Sequence, residues 1–282
     1  MSNRRKFIYN TVLGIAATSM LPEVAVGTET KSHLITSENE TFKLGIAGYT
    51  FLNFKLEESL KIMKKLDTHF LCIKDFHLPL SSTAENISIF QAKLKEYDVM
   101  GYAVGPIYTK SKAEIDNSFN YAKRVGVNLI IGIPAPADLP YVNEKVKETN
   151  IRYAIHNHGP EDELYPTVER IYELIKNLDE RVGICFDIGH DTRAGKNAVT
   201  TFQKYSKRIF DMHLKNVTAA VKSGTTCELG RGVINIPALV RMMRKIKYSG
   251  CCSLEYEKDM KDPLAGIAES VGYFRGICDS DR

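Results

Sequence analysis

Eight short apolar runs alternate with amphipathic segments along most of the chain. The apolar runs lie at 43–48, 70–73, 99–104, 128–133, 152–155, 182–186, 209–212 and 251–254. Segments with helical spacing of apolar residues follow at 56–66, 84–97, 112–125, 138–148, 164–178, 195–205, 236–246 and 263–276. Short apolar runs between helices are typical of parallel strands that are buried on both faces. The pattern therefore predicts an α/β fold with a parallel sheet.

Eight strand–helix units favour closure of that sheet into a (β/α)8 barrel, the TIM barrel, which needs about 250 residues. An open, doubly wound sheet is the alternative. No Gly-x-Gly-x-x-Gly follows the first run, which weakens the dinucleotide-binding form of that alternative. We therefore predict a single-domain (β/α)8 TIM barrel.

The first residues have the pattern of an export signal. Arg4 and Arg5 begin a charged segment, 11–21 is moderately apolar, and small residues follow at 25–27. This order is typical of a secretory leader, and Arg-Arg-Lys-Phe-Ile resembles the twin-arginine type. We expect an export signal over 1–27, a polar linker over 28–41, a barrel over 42–282 and a periplasmic location. An ordinary flexible N-terminus is the alternative. No Cys follows the leader closely enough to accept a lipid, which favours a free periplasmic form.

Composition excludes several classes of protein. With 44% hydrophobic and 26% charged residues, the 282-residue chain does not have the composition of a disordered, collagen-like or coiled-coil protein. A net charge of +4 is too small to indicate a nucleic-acid partner. No apolar run reaches the roughly 18 residues that a membrane span requires. Six cysteines in a chain of this length are no disulfide framework, and four lie in apolar runs as expected for buried thiols: Cys72, Cys185, Cys251 and Cys252.

Histidines concentrate where the chemistry of a barrel lies. Of seven histidines, five lie at or just beyond the carboxyl end of a predicted strand: His77, His156, His158, His190 and His213. The ends of the fifth to eighth strands each offer a histidine or a carboxylate, the latter including Glu255. These side chains are the ligands of divalent cations. A metal site at these four strand ends is therefore predicted.

Four motifs in this order resemble the sugar phosphate isomerase/epimerase family, whose members share a xylose isomerase-like barrel. The motifs are Asp187-Ile-Gly-His190, His213-Leu-Lys-Asn216, the run 229–237 and the run 248–255. The resemblance implies one divalent metal cation, Mn, Zn, Mg or Co, with Asp187, His213 and Glu255 as ligands. It also implies that His190 faces the substrate beside the metal. Barrels of this family often form dimers, but the sequence does not give the oligomeric state.

One position departs from the family pattern. The fifth strand, where the family usually has Glu, ends in His156-Asn157-His158. A neutral imidazole still binds a metal, but the site loses one of its two symmetrical bases. His158 projects on the same strand face, so either histidine is a candidate ligand. We assign His156 to the metal by position and His158 to a substrate hydroxyl.

The resemblance implies chemistry through an enediolate, which the metal stabilises after a C–H next to a carbonyl loses its proton. We expect Glu255 to act as ligand and base, with Glu257 as the second candidate base. Return of the proton gives an isomerase or epimerase, which we expect here. Loss of a β-substituent gives a lyase or dehydratase on a keto-sugar or 3-keto-glycoside, the alternative. Because sugar phosphates are mostly cytosolic, export favours an unphosphorylated sugar or keto-sugar.

Further residues are candidates for substrate contact, each with an ordinary structural role as the alternative. Arg231 between two glycines and Lys215 after a ligand are expected to bind substrate, and Asp75 and His77 after the second strand are further candidates. Three aromatic residues are candidates for the pocket wall: Tyr49, Phe51 and Tyr108. Glu161 and Asp162 are expected in a solvated loop.

Two other functions compete with a sugar enzyme. Endonucleases of abasic DNA use a related metal barrel. They need more metal ligands than this chain offers, and a basic surface that its net charge does not supply. A non-catalytic sugar-binding barrel is the third alternative. The intact Asp187, His213 and Glu255 argue against it.

Overall fold

The computed structural model describes residues 40–280 and contains a closed parallel barrel. Its strands are β1 (Lys43–Ala47), β2 (Phe70–Ile73), β3 (Met100–Thr109), β4 (Leu129–Pro134), β5 (Arg152–His156), β6 (Val182–Asp187), β7 (Ile209–Leu214) and β10 (Cys251–Leu254), and a separate hairpin is formed by β8 (Asn216–Val217) and β9 (Thr226–Cys227). The order around the barrel is β1-β10-β7-β6-β5-β4-β3-β2, so β1 pairs with both β2 and β10. The predicted TIM barrel is confirmed.

Nine helices lie among residues 40–280. They are α1 (Leu56–Lys65), α2 (Ala84–Glu96), α3 (Lys112–Val125), α4 (Leu139–Thr149), α5 (Val168–Ile175), α6 (Ile188–Arg193), α7 (Ala198–Tyr205), α8 (Ile236–Lys245) and α9 (Leu264–Ser280). Several begin at a side-chain cap, such as Thr83 for α2 and Ser111 for α3, whose hydroxyls accept a backbone N–H of the first turn. Caps and apolar faces thus fix where these helices begin and how they pack.

Two apolar clusters hold the barrel together. The larger one joins the outer faces of the strands to the helices, with buried residues such as Phe119, Phe202 and Phe274. A smaller one consists of Cys72, Ala103, Leu129, Ile131, Ala154 and Cys185, against which Tyr102 and Phe210 pack. Burial of each large side chain contributes about 1.5–3 kcal/mol. All six cysteines are free and buried, as predicted for the four within apolar runs.

The structure differs from the predicted elements in three places. β3 continues past Val104 to Thr109 through Gly105 and a cis proline, with a shift of register against β4. Gly105 has a φ of +130°, and a Cβ there would lie 2.1 Å from the Ile131 carbonyl oxygen, so only glycine fits. α5 begins at Val168 because Pro166 precedes its cap, Thr167. The extra helix α6 follows β6 directly.

The expected export signal over 1–27 and most of the linker over 28–41 lie outside the described residues. Within residues 40–280, no helix is both long and apolar enough to cross a membrane.

Candidate active site

Four neighbouring strands bring one potential metal ligand each to the carboxyl end of the barrel. His156 ends β5, Asp187 ends β6, His213 lies near the end of β7, and Glu255 follows β10. All four side chains are buried, and each offers a ligand atom within 4.8 Å of the other three. The parallel topology is the cause, because it places all carboxyl ends at one mouth of the barrel.

The distances within this cluster fit a divalent cation. Nε2 of His156 lies 3.0 Å from Nδ1 of His213 and 3.8 Å from Oδ2 of Asp187. Nδ1 of His213 lies 3.1 Å from Oε2 of Glu255. Metal–ligand bonds of about 2.0–2.2 Å separate ligand atoms by roughly 3–4 Å. Two imidazoles and two carboxylates are also a donor set that Mn, Zn and Co accept. The residues therefore fit the metal that the sequence implies.

The two carboxylate oxygens of Asp187 have different roles: one caps a helix and the other faces the ligand cluster. Oδ1 accepts the backbone N–H of His190 at 2.8 Å and so caps α6. Oδ2 faces the other ligands and lies 2.9 Å from Nζ of Lys215. The backbone of Asp187 is fixed by Asn157, whose side chain bonds both its N–H and its carbonyl oxygen. The carboxylate is thus held in place before a cation arrives.

Lys215 places a positive charge beside the carboxylates. Its Nζ lies 2.9 Å from an oxygen of each of three residues, Asp187, Glu255 and Glu257. Burial alone would lower the pKa of Lys215, but these three carboxylates outweigh it and hold the pKa well above its usual value. The side chain is only 2% exposed, so an unpaired ammonium here would be costly. Lys215 is therefore protonated at neutral pH.

The histidines at the mouth differ in charge. Burial, with His213 next, lowers the pKa of His156 well below its usual value. Burial likewise lowers the pKa of His190 to about 4. For His213, burial is outweighed by Glu255 and then Asp211, and its pKa rises to about 9. His156 and His190 are thus neutral, whereas His213 holds a proton that a bound cation would displace.

The predicted substrate-facing residues near the cluster are brought together by the structure. Nε2 of His190 lies 3.3 Å from Nζ of Lys215. Glu257 is half-buried at the mouth and reaches the same ammonium. Nε2 of His158 and the Tyr108 hydroxyl are hydrogen-bonded at 3.1 Å, and the His158 ring lies 4.6 Å from that of His156. Their catalytic and binding roles remain predictions, which this grouping supports.

Other predicted contact residues have partners away from the cluster. The exposed Arg231 guanidinium binds both oxygens of Glu269 on α9. Nε2 of His77 bonds the Phe54 carbonyl oxygen at 2.8 Å, and the exposed Asp75 pairs with Lys74. These contacts do not connect the three residues with the ligand cluster, and their predicted roles in binding substrate remain untested.

The residues suggested for the pocket wall and the nearby loop also have separate positions. Phe51 is fully buried in the larger apolar cluster, whereas Tyr108 is exposed beside His158. Burial and then the charges of Glu257 and Glu255 raise the pKa of Tyr49. In the loop, Glu161 pairs with Arg193.

Sequence reasoning missed a polar layer beneath the ligands. Asp211 lies two residues before His213 on β7, and its Oδ2 is 3.5 Å from Nε2 of His213. Its Oδ1 accepts the Tyr102 hydroxyl at 2.9 Å. The period of two along β7 places Asp211 on the same face as His213, and this was the signal available in the sequence. A carboxylate behind a ligating histidine orients the ring toward the metal.

Known proteins resemble the chain in both sequence and fold. The rhizopine catabolism protein MocC of Rhizobium meliloti is 28% identical over 131 residues, 41% of this chain and 40% of that protein. The inosose dehydratase of Lacticaseibacillus casei is 23% identical over 137 residues, 43% of this chain and 45% of the enzyme. The chain thus spans less than half the length of these two curated relatives.

A solved structure supports the fold over a longer stretch. The crystal structure of the IolI protein with a bound zinc atom aligns with a TM-score of 0.68 and 17% identity. The alignment covers 84% of this chain and 96% of IolI. At this identity the likeness shows the shared barrel.

The family is shown by a match over most of the barrel. The profile described as xylose isomerase-like TIM barrel matches residues 105–277, which contain all four ligand candidates. Among the proteins that match the chain in sequence is an enzyme named inosose dehydratase. The chain belongs to the xylose isomerase-like TIM barrel family.

Proposed function

We propose that the chain is a metal-dependent dehydratase that removes water from an unphosphorylated polyhydroxy ketone. The observation that carries this proposal is the buried, neutral His156 at the end of β5. A carboxylate there would face Glu255 across the substrate and exchange protons from the opposite side. With His156 in its place, the carboxylates near the substrate, Glu255 and Glu257, both follow β10, which favours elimination over two-base epimerisation.

The relatives support the same choice. One matching protein is named inosose dehydratase, and an inosose is a cyclic polyhydroxy ketone. The lyase outcome, which was the alternative from sequence alone, thus gains support over the isomerase outcome. Both begin with the removal of a proton next to a carbonyl.

His156, Asp187, His213 and Glu255 are the residues that would hold the cation. A bound divalent cation supplies Lewis acidity, which stabilises the negative charge that develops on a carbonyl oxygen when the adjacent C–H is deprotonated. We propose one divalent cation from the set Mn, Zn, Mg and Co, because imidazole and carboxylate ligands are compatible with these metals.

Glu255 is the proposed base. Oε2 of Glu255 meets both His213 of the cluster and Lys215, which leaves Oε1 as the oxygen for proton transfer. It takes the proton from the α-carbon, and the electron pair of that C–H bond forms the new double bond. The β-hydroxyl then leaves with its bonding electrons.

Lys215 is the proposed donor of a proton to the leaving hydroxyl. Nζ of Lys215 lies 2.9 Å from Oε2 of Glu255, so the proton taken by Glu255 can replace the one that Lys215 gives away. One proton leaves carbon, one hydroxide leaves the β-carbon, and one water forms. His190, next to Lys215, and His158 at the mouth are placed to bind the substrate's other hydroxyls.

A product analysis tests this function. Protein stripped of metal is reloaded with Mn, Zn or Co and incubated in D2O with an inosose and with open-chain ketoses. Mass spectrometry of the product separates the outcomes. We expect a product lighter by one water that requires the metal. A product that has lost no water and carries deuterium on carbon would instead establish the isomerase or epimerase.

Export of the chain also remains a proposal. It rests on Arg4, Arg5 and the apolar segment 11–21. Fractionation of cells that produce the full chain, compared with an Arg4→Lys/Arg5→Lys variant, tests it. We expect periplasmic protein that the variant loses, and equal distribution of both would contradict it.

A further inference from the structure

A second potential ligand set lies deeper in the barrel and shares two histidines with the first. Along β6, Cys185 lies two residues before Asp187, and therefore on the same inward face. In the sheet register, Cys185 is level with His156 of β5 and with Asp211 of β7, whereas Asp187 is level with His213. The thiol thus lies one layer below the carboxylate of Asp187.

The atoms of this deeper set are close enough for one cation. Cys185, His156 and His213 each offer a ligand atom within 4.8 Å of the other two, and all three residues are at most 2% exposed. Nδ1 of His156 is buried and has no hydrogen-bond partner within residues 40–280, and Nε2 of His213 is buried with Oδ2 of Asp211 at 3.5 Å. Neither nitrogen is held by a short hydrogen bond, and either can therefore turn to a cation.

The two sets differ in the kind of cation they favour. The upper set adds the carboxylates of Asp187 and Glu255 to the histidines, and carboxylates suit hard cations such as Mn and Mg. The lower set adds a thiol, and thiolates favour soft, thiophilic cations. We propose that His156, Cys185 and His213 form a second binding mode for a thiophilic divalent cation of the cadmium class, which excludes the cation of the upper set.

Cys185 would bind the cation as a thiolate, which requires loss of the thiol proton and no change of oxidation state. Cation binding breaks the S–H bond and forms a bond between sulfur and the metal. The proton passes to Oδ2 of Asp211, which lies 3.5 Å from Sγ of Cys185 and already accepts its hydrogen bond. The cation also displaces the proton held by His213, which passes to solvent. The site therefore gains one net positive charge and keeps the thiol proton within the same layer. Because both modes use the rings of His156 and His213, two divalent cations would lie one imidazole apart and repel each other. A thiophilic cation would therefore act as an inhibitor that competes with the resident metal.

The test uses the metal-free full chain and needs no substrate. Cadmium is titrated while the ultraviolet charge-transfer absorption of a cadmium–thiolate bond is recorded. We expect this band to saturate at about one cadmium per chain. Cys185→Ser should lose the band and weaken cadmium binding at least about tenfold. The matched control is Cys72→Ser, which changes another buried thiol of the same interior cluster and should keep the band.

Competition separates this proposal from the upper metal site. Cadmium should displace bound manganese, and the electron spin resonance signal of free manganese measures this displacement. The Asp187→Asn variant should lose manganese binding but keep the cadmium–thiolate band. Cadmium NMR of the unaltered protein reports sulfur ligation even if a Cys185 variant fails to fold. A bound cadmium without sulfur ligation, no cadmium binding, or a band that survives in Cys185→Ser would each overturn the proposal. If the unaltered protein bound cadmium through sulfur but did not bind manganese, the result would support this proposal and count against the upper site.

Discussion

Nζ of Lys215 and Oε2 of Glu255 lie 2.9 Å apart in a part of the barrel mouth where both side chains are almost fully buried. The contact joins the proposed base to the proposed proton donor. It also balances charge, since Lys215 meets two further carboxylates at the same distance. A buried cation with these neighbours has a structural and a chemical role, and the two can be separated by experiment.

Replacement of Lys215 by Gln should suppress turnover while the metal stays bound. The loss of a positioned proton donor costs about 10²- to 10⁴-fold in rate. Metal content and kcat are measured together, with Lys95→Gln on the exposed surface of α2 as the control. Dehydration at an unchanged rate in a metal-loaded Lys215→Gln protein would exclude Lys215 as the donor.

The two glutamates after β10 should respond differently to removal of their charge. Glu255 contacts His213 within the cluster, whereas Glu257 contacts Lys215 from the half-buried mouth. Glu255→Gln should therefore lose both metal affinity and turnover, by at least about tenfold each. Glu257→Gln should keep the metal and lose part of the turnover. Equal metal affinity in Glu255→Gln and the unaltered protein would contradict the ligand assignment.

Metal binding should release a proton at neutral pH. The pKa of His213 is about 9 because Glu255 and Asp211 outweigh the effect of burial, so its imidazole is protonated without metal. A ligating nitrogen must be free of its proton, and affinity should therefore rise about tenfold per pH unit until pH approaches that pKa. Calorimetry in two buffers of different ionisation enthalpy counts the released protons. Binding without proton release at neutral pH would refute the assignment.

The strand ends were the part of the site that the sequence could predict. Short apolar runs and the histidines or carboxylates at their ends located β5, β6, β7 and β10, and with them the four ligand candidates. The family resemblance added the ligand assignment of Asp187, His213 and Glu255. His156 was preferred to His158 by position alone, and the structure supports that choice because Nε2 of His156 lies within the cluster of ligand candidates. That placement depends on packing across strands and is absent from sequence spacing.

Residues whose contacts depend on the sheet register or on distant segments were harder to predict. Asp211 and Cys185 sit within apolar strands and look like isolated core positions until the register aligns them beneath the ligands. Arg231 shows the opposite case. Its glycine neighbours suggested a ligand-binding loop, but its guanidinium is bonded to Glu269, which is far away in sequence. Pairings between distant segments are set by the fold and leave no local signature.

Asn157 should contribute measurably to stability. It is fully buried, and its side chain bonds both the N–H and the carbonyl oxygen of Asp187. Asn157→Ala leaves two backbone groups without partners and should lower the free energy of unfolding by about 2 kcal/mol. Chemical denaturation measures this, with the exposed Asn86→Ala expected within about 0.5 kcal/mol of the unaltered protein. A shift as small as that of the control would show that water replaces these bonds.

The metal content of the purified protein tests the central claim most directly. Protein prepared without chelator and offered Mn, Zn, Mg and Co is analysed by mass spectrometry beside Asp187→Ala/His213→Ala. The control Asp75→Ala/His77→Ala changes the same residue types outside the cluster. About one divalent ion per chain should be present in the unaltered protein and the control, and absent from the first variant. Equal metal content in all three proteins, or no metal in any, would contradict a metal-dependent mechanism at this site.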